Sequence, residues 1–191
     1  MPLVLYRFPI TPVIDEIRFM DSFSWPRGED GEFTHGATDI IGHRGEPVVS
    51  TTGGNVVVQC RLGNRPIAPG VGNSPNGGNY AVIADYAGYF HYYAHLMAFP
   101  SVRPGSVILP GTPIGLLGST GNAGSPHLHY QIWSPFAEGE GAEDYRSSVF
   151  RRRFRNPVNP FPELARLARA QFGVSPTAAG RYHIPPGQFR C

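Results

Sequence analysis

Cysteine is nearly absent from this 191-residue sequence: Cys60 and Cys191 are the only two. Without a paired-cysteine spacing, a thiolate zinc site and a dithiol redox motif are both excluded. The two could form one disulfide, but Cys60 sits in an apolar run and reads equally well as a buried thiol. Long hydrophobic runs are lacking as well. No segment reaches the ~20 apolar residues needed to span a bilayer. Met1 to Ile10, interrupted by Arg7 and two prolines, does not read as a secretory leader, so delivery by a phage lysis system or a dedicated secretion machine, or export without a cleaved signal, is expected. Nor is charge of one sign in excess. The formal net charge is +2, and Arg151, Arg152, Arg153 and Arg155 form the only basic run, with Glu138, Glu140, Glu143 and Asp144 just ahead of it. No broad basic face is written here, which argues against nucleic acid as a partner.

What is present suits one packed domain. Hydrophobic residues make up 41% and aromatics 12%, while 24 Gly and 20 Pro cut the chain into short elements. The β-like runs are Val48 to Ser50, Asn55 to Cys60, Tyr80 to Asp85, Tyr89 to His95, Val107 to Leu109 and His127 to Trp133, rich in Val, Ile, Tyr and Phe and bounded by turn residues. One helix is expected over 162–171: Pro162 and Glu163 suit its start, Leu164, Leu167 and Ala168 make an apolar stripe, and Gly173 follows as a stop. It is expected to pack as a lid on the sheet. Two stretches, Arg61 to Asn79 and Pro135 to Arg155, read as long loops able to shape a groove. The domain is expected to occupy 1–173, and 174–191 reads as an irregular tail.

Four of the seven histidines fall in three segments: His35-Gly-Ala-Thr-Asp39, Tyr-Ala-His95-Leu, and His127-Leu-His129. A lone histidine on a strand is more often structural than a ligand. The pair at 127 and 129 says more. Side chains two apart on a strand share a face, roughly 6.6 Å apart, and can reach one ion or its water, whereas on a helix they would diverge by about 200°. His35 and Asp39 would lie roughly 13 Å apart on an extended strand, so their segment must bend, and Gly36 supplies the freedom. Two imidazoles and one carboxylate form an ordinary catalytic zinc set with room for water and substrate. No glutamate stands in a general-base position. His95, and whichever of His127 and His129 does not bind metal, are the candidates to move protons and steady an oxyanion.

Taken in this order, the three motifs resemble the lysostaphin-type, or LytM-like, peptidoglycan metallopeptidases. The likeness runs over about 21–160 and includes Asp21-Ser-Phe-Ser-Trp-Pro-Arg27, Gly45-Glu-Pro-Val48, Pro110-Gly-Thr-Pro-Ile-Gly115 and Gly121-Asn-Ala-Gly-Ser-Pro-His127. Ala37 and Ser24 stand where many relatives have glycine. The resemblance implies one Zn2+ per chain on His35, Asp39 and His129, with His95 and His127 as catalytic partners. It implies a mainly β fold, an antiparallel sheet or barrel-sandwich hybrid with a short C-terminal helix. The implied substrate is the cross-bridge or stem peptide of bacterial peptidoglycan, cut in the periplasm or cell wall. A zinc-bound module that binds wall or regulates amidases without cutting is the competing reading, and it leaves His95 and His127 without a task. His43, His91 and His183 receive no role, although His91 shares strand parity with His95. Tyr92, Tyr93 and Trp133 are read chiefly as core.

Overall fold

A computed structural model describes residues 2–57, 59–62, 65–134 and 157–187. The strands up to residue 56 are β1 (Ile17–Phe19), β2 (Pro26–Arg27), β3 (Phe33–Thr34), β4 (Thr38–Ile41), β5 (Pro47–Val49) and β6 (Gly54–Val56). Next come β7 (Gln59–Leu62), β8 (Arg65–Pro69), β9 (Val71–Ser74), β10 (Gly78–Asp85) and β11 (Phe90–Leu96). The remainder are β12 (Val107–Ile108), β13 (Pro113–Leu116), β14 (His127–Trp133), β15 (Pro157–Val158), the helix α1 (Phe161–Phe172) and β16 (Tyr182–Ile184).

The main sheet is antiparallel in the order β12-β6-β10-β11-β14-β4-β1-β16, with β9 also on β10 and β15 also on β14, and this path does not close into a barrel. The center of the sheet follows from alternation. Along β14, Leu128, Tyr130 and Ile132 are fully buried, while His127, His129 and Gln131 are partly exposed on the other face. The buried face meets the core with Ile17, Phe19, Ile40, Ile83 and Tyr93, and α1 docks there through Leu164, Ala165, Leu167, Ala168 and Phe172. Each large apolar side chain buried this way contributes about 1.5–3 kcal/mol. The helix thus covers the face opposite the histidines. It runs one residue beyond the expected span at each end. Asn159 Oδ1 accepts the Phe161 N–H at 3.0 Å, and Gly173 in the left-handed region closes it with an N–H to Arg169 O. Among the described residues, no helix is long and apolar enough to cross a membrane.

The core face also carries a buried polar chain. His91 is fully buried, with Nε2 3.2 Å from Asp85 Oδ2 and Nδ1 2.8 Å from Tyr130 OH. Tyr130 OH reaches Thr51 Oγ1 at 2.8 Å, Thr51 Oγ1 reaches Tyr93 OH at 2.8 Å, and Tyr93 OH accepts the Thr51 N–H at 2.9 Å. A buried carboxylate, Glu46, accepts the backbone N–H groups of Val13, Ile14 and Asp15 at 2.7–2.8 Å, fastening the N-terminal segment.

Three expectations need correction. The run Asn55 to Cys60 is not one strand: Gly54–Val56 joins the main sheet, while Gln59–Leu62 pairs with Arg65–Pro69 in a separate ladder. The stretch Arg61 to Asn79 is likewise not a plain loop, since β8 and β9 lie in it; backbone pairing overrides its Gly and Pro content. The tail is not irregular throughout, because Tyr182–Ile184 pairs antiparallel with β1 and buries Tyr182 and Ile184. The loop 135–155, the arginine run with its acidic neighbours, and Cys191 lie outside the described residues.

Candidate metal centre

His35, Asp39 and His129 come together on the open face of the sheet. Gly36 takes φ 69, a left-handed value that turns the chain sharply between His35 and β4. Asp39 then sits within β4, directly opposite His129 on β14. His35 Nε2 lies 3.1 Å from Asp39 Oδ1, His129 Nδ1 lies 3.2 Å from the same oxygen, and the two nitrogens are 3.0 Å apart. Among the described residues this is the one trio of possible ligands whose donor atoms all lie within 4.8 Å of one another.

The hydrogens of these rings point elsewhere. His35 Nδ1–H donates to the Ser22 carbonyl at 3.0 Å, leaving a lone pair on Nε2. His129 Nε2 lies 3.4 Å from Gln131 Oε1, an acceptor for its proton when Nδ1 turns its lone pair to a cation. Burial raises the pKa of the Asp39 carboxyl, but hydrogen bonding and charge interaction with His129 and His35 outweigh it and hold the group well below the usual carboxylate range. Three acceptor atoms facing one point repel each other unless protons or a cation lie between them. Tetrahedral bonds near 2 Å place neighbouring ligand atoms roughly 3.3 Å apart, so two nitrogens and one oxygen at these separations fit zinc. Second partners such as Ser22 O and Gln131 Oε1 are what a metal-binding imidazole needs to fix its tautomer and angle.

His95 and His127 complete the cluster. Their ring centroids are 4.6 Å apart, and His127 Nε2 lies 3.8 Å from Asp39 Oδ1, outside the trio. His127 Nδ1–H donates to Ser125 O at 2.8 Å and His95 Nδ1–H to Thr120 O at 2.7 Å, so each presents an Nε2 lone pair. Burial drives the His95 pKa down to about 4 against the pull of the Thr120 bond, with His127 and His129 adding to the depression. His95 faces the site through a bulge. The β10–β11 register shifts between Asn79 and Ala81, and His95 takes φ 63, a left-handed backbone uncommon for a residue with a side chain. That breaks its parity with His91, which lies fully buried in the core. His43 is exposed, and His183 bonds Glu16 at 2.9 Å on β16. Tyr92 and Trp133 are buried in a second apolar cluster with Tyr80, Val82 and Ala94. Tyr92 meets His129 edge-on at 6.1 Å, whereas Tyr93 lies in the main core.

Four partners of these side chains carry no signal of that role by residue type: Ser22, Thr120, Ser125 and Gln131. Ser22 serves both His35 and Asp39, since its Oγ also accepts the Asp39 N–H at 3.1 Å. Gln131 was within reach as the residue two beyond His129 on one strand face. Thr120 and Ser125 act through backbone oxygens, which no residue type announces.

Residues 33–143 match the profile of Peptidase family M23. Over 147 residues the chain is 33% identical to an L-Ala–D-Glu endopeptidase of Bacillus subtilis, covering 73% of this chain and 41% of that protein. A crystal structure described as a glycyl-glycine endopeptidase, lytM, from Ruminococcus gnavus superposes with TM-score 0.58 at 26% identity, covering 84% of this chain and 59% of the other. The catalytic domain of lysostaphin from Staphylococcus simulans gives TM-score 0.52 at 23% identity, covering 82% and 89%, a likeness of fold. The chain spans less than half the length of the curated relatives it matches.

Proposed function

The chain belongs to peptidase family M23, and from that membership we propose a zinc-dependent endopeptidase that cuts peptide bonds in the cross-bridge or stem peptides of bacterial peptidoglycan, in the periplasm or cell wall. The observation that carries this reading is the convergence of His35 Nε2, Asp39 Oδ1 and His129 Nδ1 within 3.0–3.2 Å, with an outer acceptor for each imidazole. One zinc per chain would be held by these three residues, polarising the scissile carbonyl and bringing the pKa of a water toward about 7.

His127, nearer the trio, takes a proton from the attacking water at Nε2 and returns it to the departing amine. Its Nδ1–H bond to Ser125 O fixes the ring in the tautomer that can accept. His95 is held neutral beside it, and its Nε2 lone pair accepts a hydrogen bond from the attacking water and so orients it. A module that only binds wall has no use for two imidazoles aimed in this way.

The test is clearing of a purified peptidoglycan suspension before and after chelation and zinc replacement, with the fragments weighed. Clearing that needs zinc and leaves new amino termini within peptides is expected. Freed intact stem peptides would mean an amidase, and a zinc-loaded protein that clears no wall would overturn the hydrolase.

A further inference from the structure

Asp39 presents its two oxygens to different partners. Oδ1 faces the imidazoles, while Oδ2 lies 3.3 Å from Arg27 Nη2. Arg27 stands on β2 opposite Phe33 of β3, and just past β3 the His35 N–H donates to the Trp25 carbonyl at 2.8 Å. One short hairpin therefore delivers both a member of the trio and the cation on another member's carboxylate. The ion pair is partly shielded, with side-chain exposures of 37% for Arg27 and 21% for Asp39, so it is not a freely solvated surface contact.

A carboxylate beside a divalent cation can bind through one oxygen or both. Here the second oxygen is engaged by a guanidinium, a planar donor suited to carboxylates and always charged. We propose that Arg27 is a positioning residue that keeps Oδ2 away from the metal, holding Asp39 as a one-oxygen ligand and leaving a coordination position for water and substrate. The cation also repels a nearby dication. Loss of an outer partner ordinarily weakens metal binding 10- to 100-fold, which outweighs that screened repulsion. The inference rests on the zinc reading above.

The experiment uses the zinc-loaded full chain and the variants Arg27→Gln and Arg27→Lys. Zinc transfer to a chelator of known affinity gives the dissociation constant, and cobalt substitution gives d–d bands that weaken as coordination rises from four to five. Arg27→Gln is expected to hold zinc about 10- to 100-fold more weakly and to show weaker cobalt bands, with Arg27→Lys in between because it keeps the charge without the fork. An affinity for Arg27→Gln within about threefold of the parent, far short of an outer-partner effect, would overturn the proposal. So would equal weakening in both variants with unchanged cobalt bands, the mark of a damaged hairpin. A parent chain that binds no zinc would instead bring down the zinc reading itself, and the proposal with it.

Discussion

Two histidine–aspartate clusters lie on opposite faces of the same sheet and use the same chemistry to opposite ends. In the core, the hydrogens run in one direction: Tyr93 O–H to Thr51 Oγ1, Thr51 O–H to Tyr130, Tyr130 O–H to His91 Nδ1, and His91 Nε2–H to Asp85. Every hydrogen in that chain meets an acceptor, so the cluster is complete. On the open face, Ser22 O and Gln131 Oε1 give the hydrogens of His35 and His129 acceptors outside the trio, so that both inner nitrogens can turn lone pairs to one cation beside Asp39 Oδ1. A buried His–Asp contact alone therefore says little about metal. Where the protons go separates a finished network from one awaiting a cation.

The sharpest break in this contrast comes from removing one histidine on each face. His129→Ala should leave almost no zinc after gel filtration and lower wall clearing at least about a thousandfold, the several kcal/mol a metal supplies. His91→Gln should keep about one zinc per chain and instead lose roughly 1–3 kcal/mol of stability through its unpaired partners. Elemental analysis and urea unfolding read these out, and equal zinc loss in both variants would erase the distinction. Next in size are His127→Ala and His95→Ala, expected to retain zinc and lower turnover about 10²- to 10⁴-fold. Zinc loss in either would enlarge the ligand set.

The smallest effect is a slope with pH. Full burial lowers the His91 pKa from 6.5, opposed by Asp85. The unfolded chain takes up that proton near 6.5 while the folded chain resists it, so folding binds fewer protons and stability rises with pH through the window below 6.5. Unfolding free energy of the zinc-loaded protein should be level above that pH and decline beneath it, with His95, held down to about 4, adding to the same slope. Asp85, also depressed, adds loss of the same sign only below 3.8. His91→Gln should flatten the upper part of the decline, and an unchanged slope would assign it to another group.

Much of this was legible where chemistry is local. The alternation of β14 announced both its faces, Pro162 and Gly173 bracketed α1, and the bend at Gly36 followed from the reach between His35 and Asp39. What stayed hidden depends on contacts across the chain. Arg27 and Ser22 act on Asp39 from an arm whose strands are two residues long, too short for periodicity to mark. The position of His95 required a bulge that reverses its parity, and nothing in Tyr-Ala-His-Leu signals one. The last strand was unreadable because Tyr182–Ile184 pairs with residues at the far end of the sequence.

That pairing also sets an order of assembly. His183 meets Glu16 across 167 positions, and the backbones of Leu5 and Phe8 are held by Glu163 and Gln171 of the helix. Contacts this distant close late and slowly. As the chain leaves the ribosome, His35 and Asp39 emerge well before the helix and strand that brace the sheet beneath them. Completion of the sheet that carries His35 and Asp39 therefore waits on β16, far along the chain from both, a delay built into the topology.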